Sequence, residues 1–159
     1  MLDWTIDTCV LYRFAENDFK AIRLLLTIRE EKHRVAMDED GLIRDEYERC
    51  RKKSEKEHKP GRELLNKVLV EIYSNCAYIY SGKLGKRNEK HLQRLGVNDE
   101  DFPFVFVCSQ SNCRRLVSQD SDYNEQVKDY LESKLKVNVL TIAESLEIAL
   151  KGKSSKFAS

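Results

Sequence analysis

The chain has 159 residues, long enough for a sizeable core and most simply one domain. Hydrophobic residues make up 41% and charged residues 35%; a net charge of +1 excludes a strongly basic nucleic-acid binder but not a local basic face. No apolar run approaches the roughly 18 residues of a membrane span, and the short apolar start, interrupted by Asp3 and Asp7, is not a signal peptide.

Cys9, Cys50, Cys76, Cys108 and Cys113 are odd in number and widely spaced, with no C-x-x-C pair. That usage predicts free thiols in a reducing compartment, hence the cytoplasm. His33, His58 and His91 stand far from any cysteine pair, so a zinc site is a poor fit.

In chain order, Trp4 to Leu11 is rich in β-formers and predicts a short strand ending near Asp7 or Thr8, with Cys9 to Phe14 leading away. Phe19, Ile22, Leu25 and Leu26 then recur at helical spacing, with Asn17 as N-cap. His33 to Met37 predicts a second strand, followed by a turn at Asp38-Glu39-Asp40-Gly41. Leu42, Ile43, Glu46, Tyr47 and Cys50 share adjoining faces of a helix, which sets Glu46 beside apolar residues. Arg51 to Lys59 is almost wholly charged and reads as a solvated helix end or linker.

Leu64, Leu65, Val68, Leu69, Ile72 and Tyr73 form the clearest helical stripe, core rather than dimer seam. Ser81 to Arg94 is glycine-punctuated and basic, with Lys83, Lys86, Arg87, Lys90 and Arg94 against Glu89. It is either a phosphate-contacting loop or a soluble connection. Asp101 caps a helix with Pro103 at its second position and Phe104, Val105 and Cys108 inward. Leu116 to Ser118 is a strand, and Asp122 with Glu125 forms a capping pair for a helix over Tyr123 to Leu135. Val137 to Thr141 is the last strand and Ile142 to Leu150 the last helix. Residues 1–150 make one domain, and the basic tail 151–159 is expected to be disordered. Strands alternating with helices predict a three-layer α/β/α fold with a central, mostly parallel sheet.

Asp7, Glu46, Asp101 and Asp120, with Asp122 as a fifth, each follow a strand, cap a helix or share its inward face. Taken singly, turns and caps explain most aspartates. Together, parallel topology would bring them to one sheet edge, the edge where open α/β folds bind ligands. Clustered carboxylates repel unless protonated or bridged by a cation, and hard oxygen ligands suit Mg²⁺ or Mn²⁺. Such ions serve the in-line hydrolysis of phosphodiesters.

Trp4-Thr5-Ile6-Asp7-Thr8, the helical Glu46-Tyr47, Asp101-x-x-Phe104-Val105-x-x-Cys108 and Leu116 to Tyr123 together resemble a PIN domain. The closing Val139 to Leu146 is similar to that family's last strand and helix, so the likeness covers most of residues 3–150. The resemblance implies a metal-dependent endoribonuclease acting on RNA, often the toxin of a toxin–antitoxin pair with an inhibitory antitoxin protein as partner. By that pattern Asp7, Glu46, Asp101 and Asp120 are the catalytic and metal-holding acids, Asp122 supports them, and Thr8 and Ser118 stand beside them. The basic residues from Lys83 to Arg94 would face RNA, a homodimer is in keeping, and no membrane is involved. Two other readings keep the fold: an inactive PIN-like binding or regulatory module, and a phospho-accepting domain using Asp7. The second usually needs a lysine just past a late strand, and none lies between Leu116 and Gln126.

Overall fold

A computed structural model describes the backbone of residues 2–158 and the side chains of residues 2–151. Its centre is strand β1 (Asp3–Ile6), every residue of which is buried. A strand inside a parallel sheet is covered on both faces, so burial runs on without alternating. β2 (Arg34–Asp38) and β3 (Ala77–Tyr80) follow on one side of it; β4 (Arg115–Val117) and β5 (Asn138–Leu140) lie on the other. The order is β3-β2-β1-β4-β5 and every pairing is parallel. Helices flank the sheet in an α/β architecture consistent with three layers, as the alternating pattern predicts.

The topology itself places a crevice. From β1 the chain steps outward to β2 and β3, then returns to lay β4 against the opposite edge of β1. In open parallel sheets this switch point, at the carboxyl ends of the strands, is where a cleft forms. Thr5 pairs with Leu116 and Ile6 with Val117, so Asp7 emerges beside Ser118. The Asp7 N–H donates to the Val117 carbonyl at 3.0 Å, extending the ladder one step beyond the strand.

Eight α-helices fill the connections among the described residues: α1 (Thr8–Ala15), α2 (Phe19–Glu30), α3 (Leu42–Lys56), α4 (Arg62–Asn75), α5 (Lys86–Arg94), α6 (Phe102–Gln110), α7 (Glu125–Leu135) and α8 (Ile142–Ala158). α6 is apolar nearly all round: Phe102, Phe104, Val105, Val107 and Cys108 are buried, and it packs on β1, β2 and β4. Helices with no polar stripe belong inside. Pro103 stands in its first turn, where a missing N–H breaks no intrahelical bond.

Several local expectations are corrected. Cys9 to Phe14 is helix, not a lead-away, because Val10, Leu11, Phe14 and Ala15 bury one face. Asp18, not Asn17, caps α2, accepting from the Ala21 N–H at 3.1 Å; Asn17 takes φ +66° in the turn between helices. α3 runs through Lys56 and does bury one residue of the charged run, Ser54, whose hydroxyl donates to the Cys50 carbonyl. Ala77–Tyr80 is an edge strand that the sequence reading passed over. The basic segment after it is a helix from Lys86 rather than a loop. Asn124, not the Asp122–Glu125 pair, caps α7 by accepting from the Val127 N–H at 3.0 Å. α8 runs on past Leu150 through Ala158 where a disordered tail was expected; the side chains of 152–158 and residue 159 lie outside the described residues.

Candidate functional site

Asp7 is 3% exposed, an expensive position for a carboxylate without a cation beside it. The Ser118 hydroxyl donates to its Oδ2 at 2.6 Å. Burial raises the Asp7 pKa above the ordinary aspartate value, the Ser118 and Cys9 side chains lower it, and the charge of Asp120 raises it again. Ser118 in turn accepts from the Asp120 N–H at 3.1 Å, and its oxygen lies 3.6 Å from Cys9 Sγ. Cys9 Sγ also accepts from the Gln119 N–H at 3.4 Å. Burial, with the Asp7 charge adding to it, pushes the Cys9 thiol up to about 12, so it is no thiolate at neutral pH.

Asp101 closes the 3-10 turn Asp99–Asp101 that leads into α6. As N-cap it makes no side-chain capping bond, unlike Asp18 and Asn124. Its pKa is pushed up to about 7, by burial first and then by the charges of Asp7, Asp120, Asp122 and Glu100. Asp120 accepts from the Asp122 N–H at 2.9 Å in a short turn. Asp122 accepts from the Asn98 side-chain amide at 3.2 Å, tying this loop to the turn that bears Asp101. Three segments distant in sequence thus bring these acids within electrostatic reach: the charge of Asp120 bears on Asp7, and those of Asp7, Asp120 and Asp122 bear on Asp101.

The remaining candidates lie on α1, on α3, and on α5 with the segment before it. Glu46 pairs with Arg49 on α3, and its charge bears on Tyr12 rather than figuring among those acting on Asp7 or Asp101. The Thr8 backbone hydrogen-bonds Asp7 and steadies its ionised form. Lys83 lies 3.8 Å from Asp40, while Lys86, Arg87, Lys90 and Arg94 lie exposed on α5. α5 is anchored by buried Leu92 and by His91, which stacks on Tyr130 at 4.1 Å between centroids. Its Gln93 amide donates to Asp99 at 2.9 Å, so the basic helix abuts the turn that carries Asp101.

Two site-facing groups escape sequence reasoning. Cys9 reads there as one more core thiol, and Tyr123 as the first residue of a helix. Tyr123 is instead a buried tyrosine, 3% exposed, whose hydroxyl has no hydrogen-bond partner and on which the charges of Asp101, Asp7 and Asp120 act most strongly. Only the register of β1 against β4 could reveal either.

The donors are all carboxylates, the type a hard divalent cation takes, and their mutual repulsion is what such a cation would relieve. As placed, no three His, Cys, Asp or Glu side chains among the described residues stand close enough together to share an ion. The fit is therefore one of donor chemistry and electrostatics. No family model, curated protein or solved structure matches the chain.

Next to the site, a cavity of about 280 Å³ is lined by the apolar side chains of Leu42, Leu84, Phe102 and Phe106 and by the acids Asp38, Asp40, Glu89 and Asp99. It adjoins Asp99 and Phe102, on either side of Asp101.

Proposed function

We propose that the chain is a PIN-like, divalent-metal-dependent endoribonuclease. What supports the reading is the charge coupling of Asp7, Asp101 and Asp120 beside the switch point of the sheet, with Asp101 pushed up to about 7 by burial and by those charges. A fold gains nothing from holding carboxylates together unless something positive is to bind there. Asp7, Asp101 and Asp120, supported by Asp122, would hold Mg²⁺ or Mn²⁺. When bound, the ion would activate water and neutralise charge at the phosphodiester.

The protein's own residues supply the rest. Ser118 fixes the Asp7 carboxylate through its hydroxyl, and the Thr8 backbone supports the charged form. The turn from Ser118 to Asp122 holds Asp120 by two internal bonds, so both acids are set before substrate arrives. Lys86, Arg87, Lys90 and Arg94 are exposed cations on the helix whose Gln93 binds the turn carrying Asp101, suited to a phosphate backbone. In the neighbouring cavity Phe102 and Phe106, set among acids, offer aromatic faces for a base to stack on. A toxin role with an antitoxin partner remains an implication of the resemblance alone.

A second reading, an inactive PIN-like binding or regulatory module, is favoured by Glu46 standing apart and by the lack of three converged ligands. One experiment separates the two. Single-stranded RNA is incubated with the protein in chelator and then in Mn²⁺. The nuclease reading expects cleavage only with Mn²⁺, and Asp7→Asn or Asp120→Asn should lower the rate on the order of 100-fold or more. Lys86→Glu with Arg87→Glu should weaken RNA binding and flatten its salt dependence together. No cleavage by the wild-type protein in any divalent ion would leave the binding module.

A further inference from the structure

The cavity beside the Asp99–Asp101 turn is walled by three helices and one loop. Phe102 and Phe106, one helical turn apart on α6, line one side of it. Leu42 of α3 and Leu84 of the loop between β3 and α5 add apolar carbon. At Gly82 that loop runs so close to α6 that an added Cβ would lie 2.9 Å from the Phe106 Cζ, and its φ is +114°. Glycine alone takes such a position without strain, so the close wall against Phe106 is written into the chain. A volume of about 280 Å³ stands at the small end of ligand pockets, which run from roughly 300 to 1,000 Å³. There is room for one flat ring system, not for a peptide or a second nucleoside.

Of the carboxylates that border the cavity, all but one are already committed. Asp38 spends both oxygens on the Leu42 and Ile43 N–H groups. Asp40 lies 3.8 Å from the Lys83 ammonium, and Asp99 accepts from the Gln93 amide at 2.9 Å. Glu89, half-buried on α5, makes no side-chain hydrogen bond or ion pair among the described residues. An ionised carboxylate has two oxygens side by side and only accepts. Its match in an aromatic slot is a flat ring with two adjacent N–H donors. Among the RNA bases guanine alone presents that pair, at N1 and the N2 amino group. Adenine and cytosine set a donor next to an acceptor, and uracil sets one N–H between two carbonyls. We propose that this cavity is a guanine site, the base stacking on Phe102 and Phe106 while Glu89 accepts from N1–H and the N2 amino group. Lys83 or Gln93, both in the lining, supplies a donor for O6. The base edge is uncharged, so the acids that would repel phosphate do not repel it. The guanine arrives within RNA or as a free nucleotide, which present the same edge. The site stands without the nuclease reading and needs no cation.

Titration calorimetry in chelator, where binding is read without cleavage, compares guanosine with inosine, adenosine, cytidine and uridine. Guanosine should bind. Inosine, which lacks only the N2 amino group, should bind roughly tenfold or more weakly, the effect of one hydrogen bond to a charged group, and the others more weakly still. Glu89→Gln replaces one acceptor oxygen by a donor and should weaken guanosine at least as much, with the thermal midpoint nearly unchanged. Equal binding of all the nucleosides overturns the proposal and leaves a stacking slot. Guanosine affinity that survives Glu89→Gln overturns it too, as does a failure of guanosine to bind. Guanosine monophosphate and an oligoadenylate carrying one guanosine separate the two sources: tighter binding of the oligonucleotide assigns the site to RNA, the reverse to a free nucleotide. Mn²⁺-dependent RNA cleavage by a protein that ignores guanosine would remove this site and leave the nuclease reading standing. Guanosine binding by a protein that cleaves nothing would do the opposite.

Discussion

Asp3 opens the four-residue strand β1 and Asp7 directly follows it, and each is 3% exposed. Their surroundings differ completely. Asp3 accepts from the Tyr80 hydroxyl at 2.9 Å and the Asn112 N–H at 3.1 Å, with the Arg34 guanidinium 4.0 Å away. It ties β1 to β2, β3 and the loop before β4. Asp38, at the carboxyl end of β2, is equally well used: its two oxygens accept from the Leu42 and Ile43 N–H groups and start α3. Asp7 has Ser118 and then other acids. The contrast teaches that burial alone does not mark a functional carboxylate. What marks it is burial among like charges, a cost the fold does not need for its own sake.

The largest effect should come from exchanging the fates of these two residues. Asp3→Ala leaves the Tyr80 hydroxyl and the Asn112 N–H without their acceptor, a loss of about 2 kcal/mol. For a chain of this length that lowers the thermal midpoint by about 4–8 °C. Asp7→Asn removes a charge that repels its neighbours and should leave the midpoint in chelator unchanged or higher. Adding Mn²⁺ should raise the wild-type midpoint, and that of Asp7→Asn less, because only the folded chain assembles the ligands. Melts of the three proteins, with chelator and then Mn²⁺, test the contrast. Asp7→Asn falling as far as Asp3→Ala would erase it.

A smaller effect follows from pH. Asp101 titrates near about 7 in the folded protein against an ordinary value of 3.8. Between those values the folded chain keeps a proton that the unfolded chain has lost, so stability falls as pH rises from about 4 to about 7. In chelator the midpoint should therefore be a few degrees lower at pH 8 than at pH 5 through this group. Asp101→Asn imitates the protonated form and should lose most of that slope. A wild-type midpoint that rises over the same range, with the variant in parallel, would mean that Asp101 carries no excess charge cost.

Much of this organisation was legible in the sequence because parallel α/β folds write it plainly. The strands at Trp4 to Ile6 and Leu116 to Val117 are apolar runs ended by polar residues, so the acids after them had to meet at one edge. Asp101 was legible from Pro103 and the apolar helix that follows. Edges and ends were not. Ala77–Tyr80 is only four residues long and begins two residues after α4 ends, too short a run for its period to stand out from the helix before it. The glycines at 82 and 85 gave α5 the look of a loop, although Gly85 is only its N-cap. Asp38 read as a turn residue because nothing local reveals that both its oxygens cap a helix. Glu46 was placed by helical periodicity, which fixes a face but not a distance; the neighbouring Tyr47 turns inward to the Ile6 carbonyl while Glu46 turns to Arg49.

The finest expected effect ranks the members of the acid cluster and decides where Glu46 belongs. Apart from burial, the charges raising the Asp101 pKa are, in order, those of Asp7, Asp120, Asp122 and the adjacent Glu100. Neutralising each aspartate should lower that pKa in the same order, Asp7→Asn most and Asp122→Asn least, since each variant removes one repulsion and leaves the burial in place. Glu46→Gln should not move it, because Glu46 is paired with Arg49. Carbon-detected NMR titration of the Asp101 carboxyl in chelator measures all four. The groups interact, so the readout is the displacement of one followed resonance rather than a pKa assigned to each acid. A Glu46→Gln shift as large as that of Asp120→Asn would draw Glu46 into the cluster and restore the four-acid arrangement that the PIN resemblance implies. Equal shifts from all three aspartates would instead describe a diffuse negative surface, with no pocket built around Asp101.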